Sequence, residues 1–243
     1  MRVAIIDSDL NQAESLAESL KQIDCKSYIF GRAKEATRTL QRESFDLILL
    51  EWQLPDIDGG ELLVWIRENL DWQVPVIFVT RTGGSENLVY ALGRGADDFI
   101  AKSVATPELL ARIQAVLRRT SRVDPVGRVL TCGLHVIDMA RREIVVDGSK
   151  VALTQKEFEL ASFLFRHNGR LLSRGHLMET VWGHSDEMNT RTLDTHISRL
   201  RKKLRINAEM GWRLSSVYHH GYRLEAVDRS VETTEPALAD LPD

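Results

Sequence analysis

The chain has 243 residues, a formal net charge of −3 and 28% charged residues, an ordinary globular composition at a length that favours two modest domains. No apolar run approaches the roughly 20 residues that a membrane helix needs, and the opening MRVAIIDSD lacks the long apolar region of a signal peptide. We therefore expect a cytoplasmic protein with no membrane partner, in which the distant Cys25 and Cys132 are reduced structural thiols.

Charge is distributed unevenly along the chain. Residues 1–120 hold 14 basic and 18 acidic side chains, a net charge of −4. Residues 121–229 hold 18 basic and 13 acidic side chains, a net charge of +5, and the last fourteen residues add four acids and no base. An acidic front half and a basic back half indicate that the back half contacts a polyanion.

Five apolar runs predict the strands of one sheet in residues 1–120: Val3–Ile6, Tyr28–Phe30, Leu47–Leu50, Val76–Val79 and Phe99–Ala101. Helical patterns lie between them, for example Leu10–Leu20 and Glu61–Leu70, and Thr106-Pro107-Glu108 is typical of a helix start. Continuous apolar strands that alternate with helices predict a parallel sheet covered on both faces.

A polar side chain follows or ends four of these runs, namely Asp7, Glu51, Thr80 and Lys102. In a doubly wound sheet the carboxyl ends of the strands meet in one crevice, so these four side chains are expected to converge there. Carboxylates can hold Mg²⁺, while a hydroxyl and an ammonium can hold phosphate oxygens. The pattern therefore predicts a site of the kind that carries out phosphoryl transfer.

The stretches FDLILLEWQLPDIDGGELL, PVIFVT and GADDFIAKS resemble the receiver domain of two-component response regulators over about residues 1–120. The resemblance implies a flavodoxin-like (βα)5 fold. It places Glu51 at the phosphoacceptor aspartate, Asp7 and Ser8 at the acidic pair, and Thr80 at the switch hydroxyl. It also places Phe99 at the switch aromatic and Lys102 at the phosphate-binding lysine.

Four departures from that family pattern fall at the same site. Glu51 is one methylene longer than aspartate, Ser8 removes a metal-coordinating charge, and Arg81 stands where the family keeps a small residue. Ser103 replaces the proline after Lys102, where a cis bond before serine would cost about 3 kcal/mol. We expect a degenerate receiver with no catalytic residue and no required cofactor, and only weak Mg²⁺ binding by Asp7 and Asp9, if any.

Three interpretations of this receiver remain open. Glu51 can contact Lys102 as a phosphoryl group would and hold an active-like state, the site can be inert and kept for folding and dimerisation, or it can retain some phosphorylation. The face after the fourth strand resembles the family's dimerisation surface, with intersubunit charge pairs at Asp97, Asp98, Arg112 and Arg119. A merely solvated charged face is the alternative there.

The second half begins after a linker predicted at residues 121–127, where Pro, Gly and charge occur without periodicity. Strands are expected at Val129–Cys132, Leu134–Asp138, Glu143–Val146, Trp212–Val217 and Tyr222–Leu224. Thr154-Gln-Lys-Glu157 predicts a capping box for one helix, and Ser173 begins a second helix. Residues 227–243 are predicted to form a disordered acidic tail.

The most informative pattern is a predicted helix over Asn189–Arg205. Its apolar residues fall in one narrow stripe: Leu193, Ile197, Leu200 and Leu204. The opposite face carries basic and hydrogen-bonding side chains: Arg191, Thr195, Ser198, Arg199 and Lys202. Such a face is typical of a helix in the DNA major groove, although a solvated basic face would give the same pattern.

LTQKEFELASFLFRHNGRLLSRGHLMETVWG, RTLDTHISRLRKKL and HGYRL together resemble the OmpR/PhoB-type winged-helix domain, an α+β fold expected over residues 128–226. The resemblance implies base contacts from Thr195 and Arg199, and backbone or wing contacts from Arg191, His196 and Arg201. Packing against a neighbouring loop is the alternative for His196. In the wing, Tyr218 and His219 replace the usual Arg-Gly, so Tyr218 and His220 are the candidates for phosphate contacts.

We expect a transcription regulator that binds double-stranded DNA as a homodimer and is not an enzyme. RNA polymerase is a further candidate partner, whereas a cognate histidine kinase is not expected. Ile6-Asp7-Ser8-Asp9 also resembles the start of haloacid-dehalogenase-type phosphatases, but the chain lacks their later Gly-Asp motif and cap domain. A third hypothesis, prompted by the altered wing, is a protein-interaction module without specific DNA binding.

Overall fold

A computed structural model describes residues 1–70, 74–81, 84–120, 129–183, 190–218 and 220–228. In these ranges no helix has the length and apolar character required to cross a membrane. The predicted linker at 121–127 lies outside the described residues, so its boundaries stay a prediction. Cys25 and Cys132 are both buried and unbonded to one another.

The first half alternates strands and helices. They are β1 (Arg2–Ile6), α1 (Leu10–Lys21), β2 (Lys26–Phe30), α2 (Ala33–Leu40), β3 (Leu47–Leu50), α3 (Gly59–Asn69), β4 (Val76–Thr80), α4 (Ser85–Gly93), β5 (Asp98–Ala101) and α5 (Thr106–Thr120). The five strands form one parallel sheet in the order β2-β1-β3-β4-β5. This is the flavodoxin-like arrangement predicted from the sequence.

The sheet places the predicted polar residues at one edge. Ile6 pairs with Leu50 and Thr80 pairs with Ala101, so β1, β3, β4 and β5 end side by side. All residues of β1, β3 and β4 are buried, because helices cover both faces of these strands.

Helix α3 begins at Gly59, two residues before the predicted start at Glu61. The Asp58 carboxylate accepts a hydrogen bond from the Gly60 backbone N–H at 2.7 Å and caps the helix. A Cβ at position 59 would lie 2.5 Å from the backbone oxygen of Glu51. Glycine at this position therefore lets the start of α3 approach the end of β3 closely.

In the described residues of the second half, two small antiparallel sheets surround three helices. Its elements are β6 (Val129–Cys132), β7 (His135–Asp138), β8 (Glu143–Val146), β9 (Ser149–Val151), α6 (Gln155–Arg166), β10 (Leu171–Ser173), α7 (Arg174–Trp182), α8 (Thr190–Lys203), β11 (Trp212–Val217) and β12 (Gly221–Ala226). The strand orders are β6-β7-β8-β9 and β10-β12-β11. This is the α+β winged-helix arrangement that the sequence predicted.

The apolar stripe of α8 forms the centre of this half. Leu193, Ile197, Leu200 and Leu204 are all 0% exposed, which confirms the predicted seam. Both hydrogen bonds of the capping box predicted for α6 are present: Glu157 N donates to the Thr154 hydroxyl, and Thr154 N donates to the Glu157 carboxylate. These two features orient α6 and α8 around one core.

The ordered chain extends slightly beyond the predicted end of the winged helix. Val227 still donates a backbone hydrogen bond to Gly211 at 3.0 Å, so this residue, predicted to begin the tail, belongs to the folded domain. Residues 229–243 lie outside the described residues. The prediction of disorder for that segment therefore stays a prediction.

The two halves contact one another directly. Leu171 of β10 is buried in the same cluster as the receiver residues Phe45 and Leu40, and Val217 of β11 packs against that cluster. The Arg170 guanidinium also donates a hydrogen bond to the backbone oxygen of Phe45 at 2.7 Å. The receiver therefore packs against the sheet that carries the wing.

Candidate functional sites: the receiver pocket and the recognition helix

The receiver pocket is organised around the ammonium group of Lys102. Its Nζ lies 2.5 Å from Asp7 Oδ2 and 2.6 Å from Glu51 Oε2. The three side chains are only 13%, 6% and 8% exposed, respectively. One buried cation therefore compensates two buried carboxylates, at the distance of charge-assisted hydrogen bonds.

The second carboxylate oxygen of Glu51 is also occupied. Oε1 accepts a hydrogen bond from the backbone N–H of Trp52 at 2.6 Å and a longer one from Gln53 at 3.4 Å. The longer glutamate side chain thus reaches Lys102 with one oxygen and its own following backbone with the other. Both oxygens of the group at the phosphoacceptor position already have protein partners.

The residues expected to hold a metal have other contacts. Ser8 is exposed, and Asp9 caps α1 by accepting a hydrogen bond from Gln12 N at 3.2 Å. The other oxygen of Asp9 lies 2.7 Å from Arg81, whose side chain is 61% exposed. Arg81 therefore lies at the rim of the crevice and does not fill it. Within the described ranges, no group of three or more His, Cys, Asp or Glu residues is placed to hold a metal.

A series of aromatic rings extends from the pocket towards α4. Trp52 packs against Phe78 at 5.1 Å and against Tyr90 of α4 at 6.1 Å between ring centroids. Phe99, the expected switch aromatic, is half-buried and stacks on Phe78 with 5.8 Å between ring centroids, and Thr80 is fully buried. Sequence analysis did not single out Trp52, although its position directly after Glu51 was a signal.

The charged residues predicted to pair between subunits make contacts within the chain. Asp97 accepts a hydrogen bond from Val76 N at 2.8 Å and lies 3.3 Å from Arg67. Arg112 lies 2.9 Å from Glu108 and 3.6 Å from Asp98, and Arg119 is exposed. The neighbouring α4 exposes four large apolar side chains: Leu88, Val89, Tyr90 and Leu92.

The basic face of α8 is open to solvent. The exposed residues on this face are Arg191, Thr195, Ser198, Arg199 and Lys202.

Two other residues expected to contact DNA, Arg201 and His196, instead make contacts within the domain. Arg201 donates through Nε and Nη2 to the backbone oxygen of Leu214, at 3.0 and 2.6 Å, and His196 packs on Trp182 with ring centroids 5.2 Å apart.

One acidic residue, Asp194, lies on α8 beside this basic face. Burial acts to raise the pKa of its carboxyl, but hydrogen bonds from Arg174 and Tyr222 outweigh that effect and hold the pKa below its ordinary value. Arg174 Nη1 lies 2.5 Å from the carboxylate. The local cation therefore compensates a charge that would otherwise repel a polyanion at this face.

Tyr218 and His220, the residues expected to contact phosphates from the wing, both have exposed side chains. Tyr218 is 81% exposed, and the His220 ring nitrogen Nδ1 lies 2.8 Å from the Tyr218 backbone oxygen. His219 lies outside the described residues. The β11–β12 hairpin thus presents Tyr218 to solvent at its tip.

We predict that Lys102→Met lowers the free energy of unfolding by about 3–5 kcal/mol, because it leaves two buried carboxylates without their shared cation. Urea unfolding of the variant measures this loss. Lys34→Met, at an exposed position of α2, is the matched control and should change stability little. Equal, small losses in the two variants would contradict the prediction.

Two family models match the chain. The response regulator receiver domain matches residues 3–114, and the C-terminal domain of transcriptional regulatory proteins matches residues 148–224.

Similar proteins match nearly the whole chain. The chain is 35% identical to sensory transduction protein RegX3 of Mycolicibacterium smegmatis, over 92% of the chain and 98% of the relative. It is 36% identical to the phosphate regulon transcriptional regulatory protein PhoB of Rhizobium meliloti, over 93% and 99%. The crystal structure of DrrB, an OmpR/PhoB homologue of Thermotoga maritima, is 26% identical over 93% of the chain and 99% of DrrB, with a TM-score of 0.45. The chain belongs to the OmpR/PhoB family of response regulators, transcription regulators with a receiver domain and a C-terminal DNA-binding domain.

Proposed function

We propose that this regulator acts on DNA as a dimer and that its degenerate receiver works without phosphorylation. The observation that carries the proposal is the position of Lys102, which contacts Asp7 and Glu51 together in a nearly dry pocket. In this interpretation Glu51 supplies permanently the anion that a phosphoryl group would supply reversibly.

The groups around Glu51 favour this interpretation over residual phosphorylation. A phosphoryl transfer would need a free carboxylate oxygen and a metal to neutralise the developing charge. Both Glu51 oxygens have partners, Asp9 is paired with Arg81, and Ser8 contributes no carboxylate. We therefore propose that the receiver requires no cofactor and no histidine kinase.

Aromatic packing between the pocket and α4 favours an active-like state over an inert pocket. Phe99 packs against Phe78 and Trp52, and Trp52 reaches Tyr90 on α4. The packed rings thereby connect the chain next to Glu51 with the face of α4 that exposes Val89 and Leu92. We propose that this α4 face, with the charged residues of β5 and α5 around it, joins two copies of the chain.

DNA recognition is assigned to the open face of α8. We propose that Thr195 and Arg199 contact base edges, and that Arg191, Ser198, Lys202 and the wing residues Tyr218 and His220 contact the phosphate backbone. An arginine in the major groove can bond guanine through two hydrogen bonds. Two such helices would read half-sites about 10–10.5 base pairs apart, centre to centre.

The first experiment tests the phosphate-free receiver. Incubation with Mg²⁺ and acetyl phosphate, followed by intact-mass measurement, should give no phosphoryl adduct, because Asp7 is paired with Lys102 and Asp9 with Arg81, so the metal that the transfer needs is held poorly. The double variant Glu51→Asp/Ser8→Asp restores the usual acids and serves as the comparison. A stoichiometric adduct on the unaltered chain would overturn the proposal.

The second experiment tests the recognition face. Arg199→Ala should weaken binding to the cognate duplex by about 1–3 kcal/mol, with relaxed discrimination at one base pair. Fluorescence anisotropy titrations measure the affinity at a fixed salt concentration. Arg141→Ala removes another exposed arginine, from the turn between β7 and β8, and should leave affinity unchanged. An unchanged affinity for Arg199→Ala would rule out this role.

A further inference from the structure

The open face of α8 carries cations that lack an acidic partner in the described part of the chain. They are Arg191, Arg199 and Lys202, and all three are exposed. The neighbouring Lys203 differs, because its ammonium lies 2.8 Å from the Glu157 carboxylate. Three exposed cations on one helix face attract a polyanion, whether that polyanion is a nucleic acid or an acidic segment of the protein.

The opposite charge lies in the segment that follows the winged helix. Residues 230–243, which we call the acidic tail, contain four acidic residues and no basic residue. The four acids are Glu232, Glu235, Asp240 and Asp243. The acidic tail lies outside the described residues, whereas its point of attachment lies within them.

The acidic tail is attached close to the end of α8. Val227, the residue after β12, donates a backbone hydrogen bond to Gly211 at 3.0 Å. Gly211 belongs to the short loop between α8 and β11, and this loop folds back on the helix, since Ile206 N donates to the Arg201 oxygen at 2.9 Å. Asp228 is exposed and is the last residue described before the tail. The tail therefore starts near the C-terminal end of the basic face.

The acidic tail is long enough to reach the whole basic face. An extended chain spans at most about 3.6 Å per residue, so Glu232 can lie about 14 Å from Asp228, and Asp243 about 50 Å from it. Helix α8 has 14 residues, which at about 1.5 Å per residue gives a length of about 21 Å. The acids can therefore reach every cation of the face, from Lys202 near the end of α8 to Arg191 near its start.

We propose that the acidic tail binds the basic face of α8 and competes there with DNA, an inference that rests on the recognition role proposed above for α8. The carboxylates of the tail pair with the same cations that contact DNA in the complex. Each exposed ion pair is weak, but covalent attachment holds the tail at an effective concentration in the millimolar range. A duplex displaces the tail, so the tail lowers the affinity for DNA without preventing binding.

Competition of this kind depends on salt in a characteristic way. Salt weakens the ion pairs of the tail and the phosphate contacts of the duplex together. The tail therefore competes most strongly at low salt, where the loss of affinity for DNA is largest. The affinity of the unaltered chain should consequently fall less steeply with salt than the affinity of a chain whose tail is neutral.

Neutralisation of the acidic tail in the full-length chain tests the inference. The variant Glu232→Gln/Glu235→Gln/Asp240→Asn/Asp243→Asn keeps the length of the tail and removes its four charges. Fluorescence anisotropy titrations on a duplex of arbitrary sequence measure the affinity, because phosphate contacts supply nearly all non-specific binding. The variant should bind about three- to tenfold more tightly than the unaltered chain at about 50 mM salt, and less than about twofold more tightly at about 200 mM.

A matched control separates the effect of the tail from the effect of net charge. In this control, four exposed acids of the receiver are changed to Gln: Glu14, Glu35, Glu61 and Glu68. The control has the same net charge as the tail variant and should bind the duplex within about twofold of the unaltered chain. An unchanged affinity of the tail variant, or an equal gain in the control, would overturn the inference and leave DNA recognition intact.

A measurement without DNA tests the contact itself. Carbodiimide joins a carboxylate to a nearby lysine amine, and trypsin releases residues 230–243 as one peptide because no basic residue follows Arg229. We expect this peptide to be crosslinked to Lys202, and excess duplex to suppress the crosslink. Equally frequent crosslinks to Lys34 of α2, or a Lys202 crosslink that persists in the DNA complex, would contradict the inference. If no form of the chain binds the duplex, the DNA recognition proposed above fails, and the Lys202 crosslink alone decides whether the tail contacts α8.

Discussion

The account depends on one cation, Lys102, placed between Asp7 and Glu51. Without Lys102, two carboxylates this close to one another in a buried pocket would repel strongly. Without the carboxylates, the buried Lys102 ammonium would lose its hydration with no opposite charge to compensate it. The three groups therefore stabilise one another in a single arrangement. Lys102 directly follows β5, and Phe99 of β5 belongs to the ring series that runs through Trp52 to α4.

The protein separates two tasks that lie at opposite edges of the same parallel sheet. The carboxyl edge holds the Lys102 group and faces the proposed dimer surface, while the amino edge holds the winged helix through Glu179 and His176. The two groups of contacts share no residue.

Sequence periodicity predicted most of the fold because the strands of the first half are uniformly apolar and α8 has a sharp apolar seam. It missed β10, whose three residues are too few to show a period, and it began α3 late because glycines carry no apolar signal. The pocket residues were predictable from their positions at strand ends. Three features could not be predicted from the sequence: the hydrogen bond from Trp52 N to Glu51, the Arg81–Asp9 pair, and the contacts between the two halves of the chain. Each depends on the direction of a side chain or on packing between segments that are distant in sequence.

The most direct measurement is a crystal structure of the chain soaked with beryllofluoride and Mg²⁺. The account predicts that Lys102 still contacts both Asp7 and Glu51, with no anion bonded to the glutamate and no ordered metal beside it. A beryllofluoride group bonded to Glu51 above an ordered magnesium ion, with Lys102 displaced onto its fluorine atoms, would contradict the phosphate-free receiver.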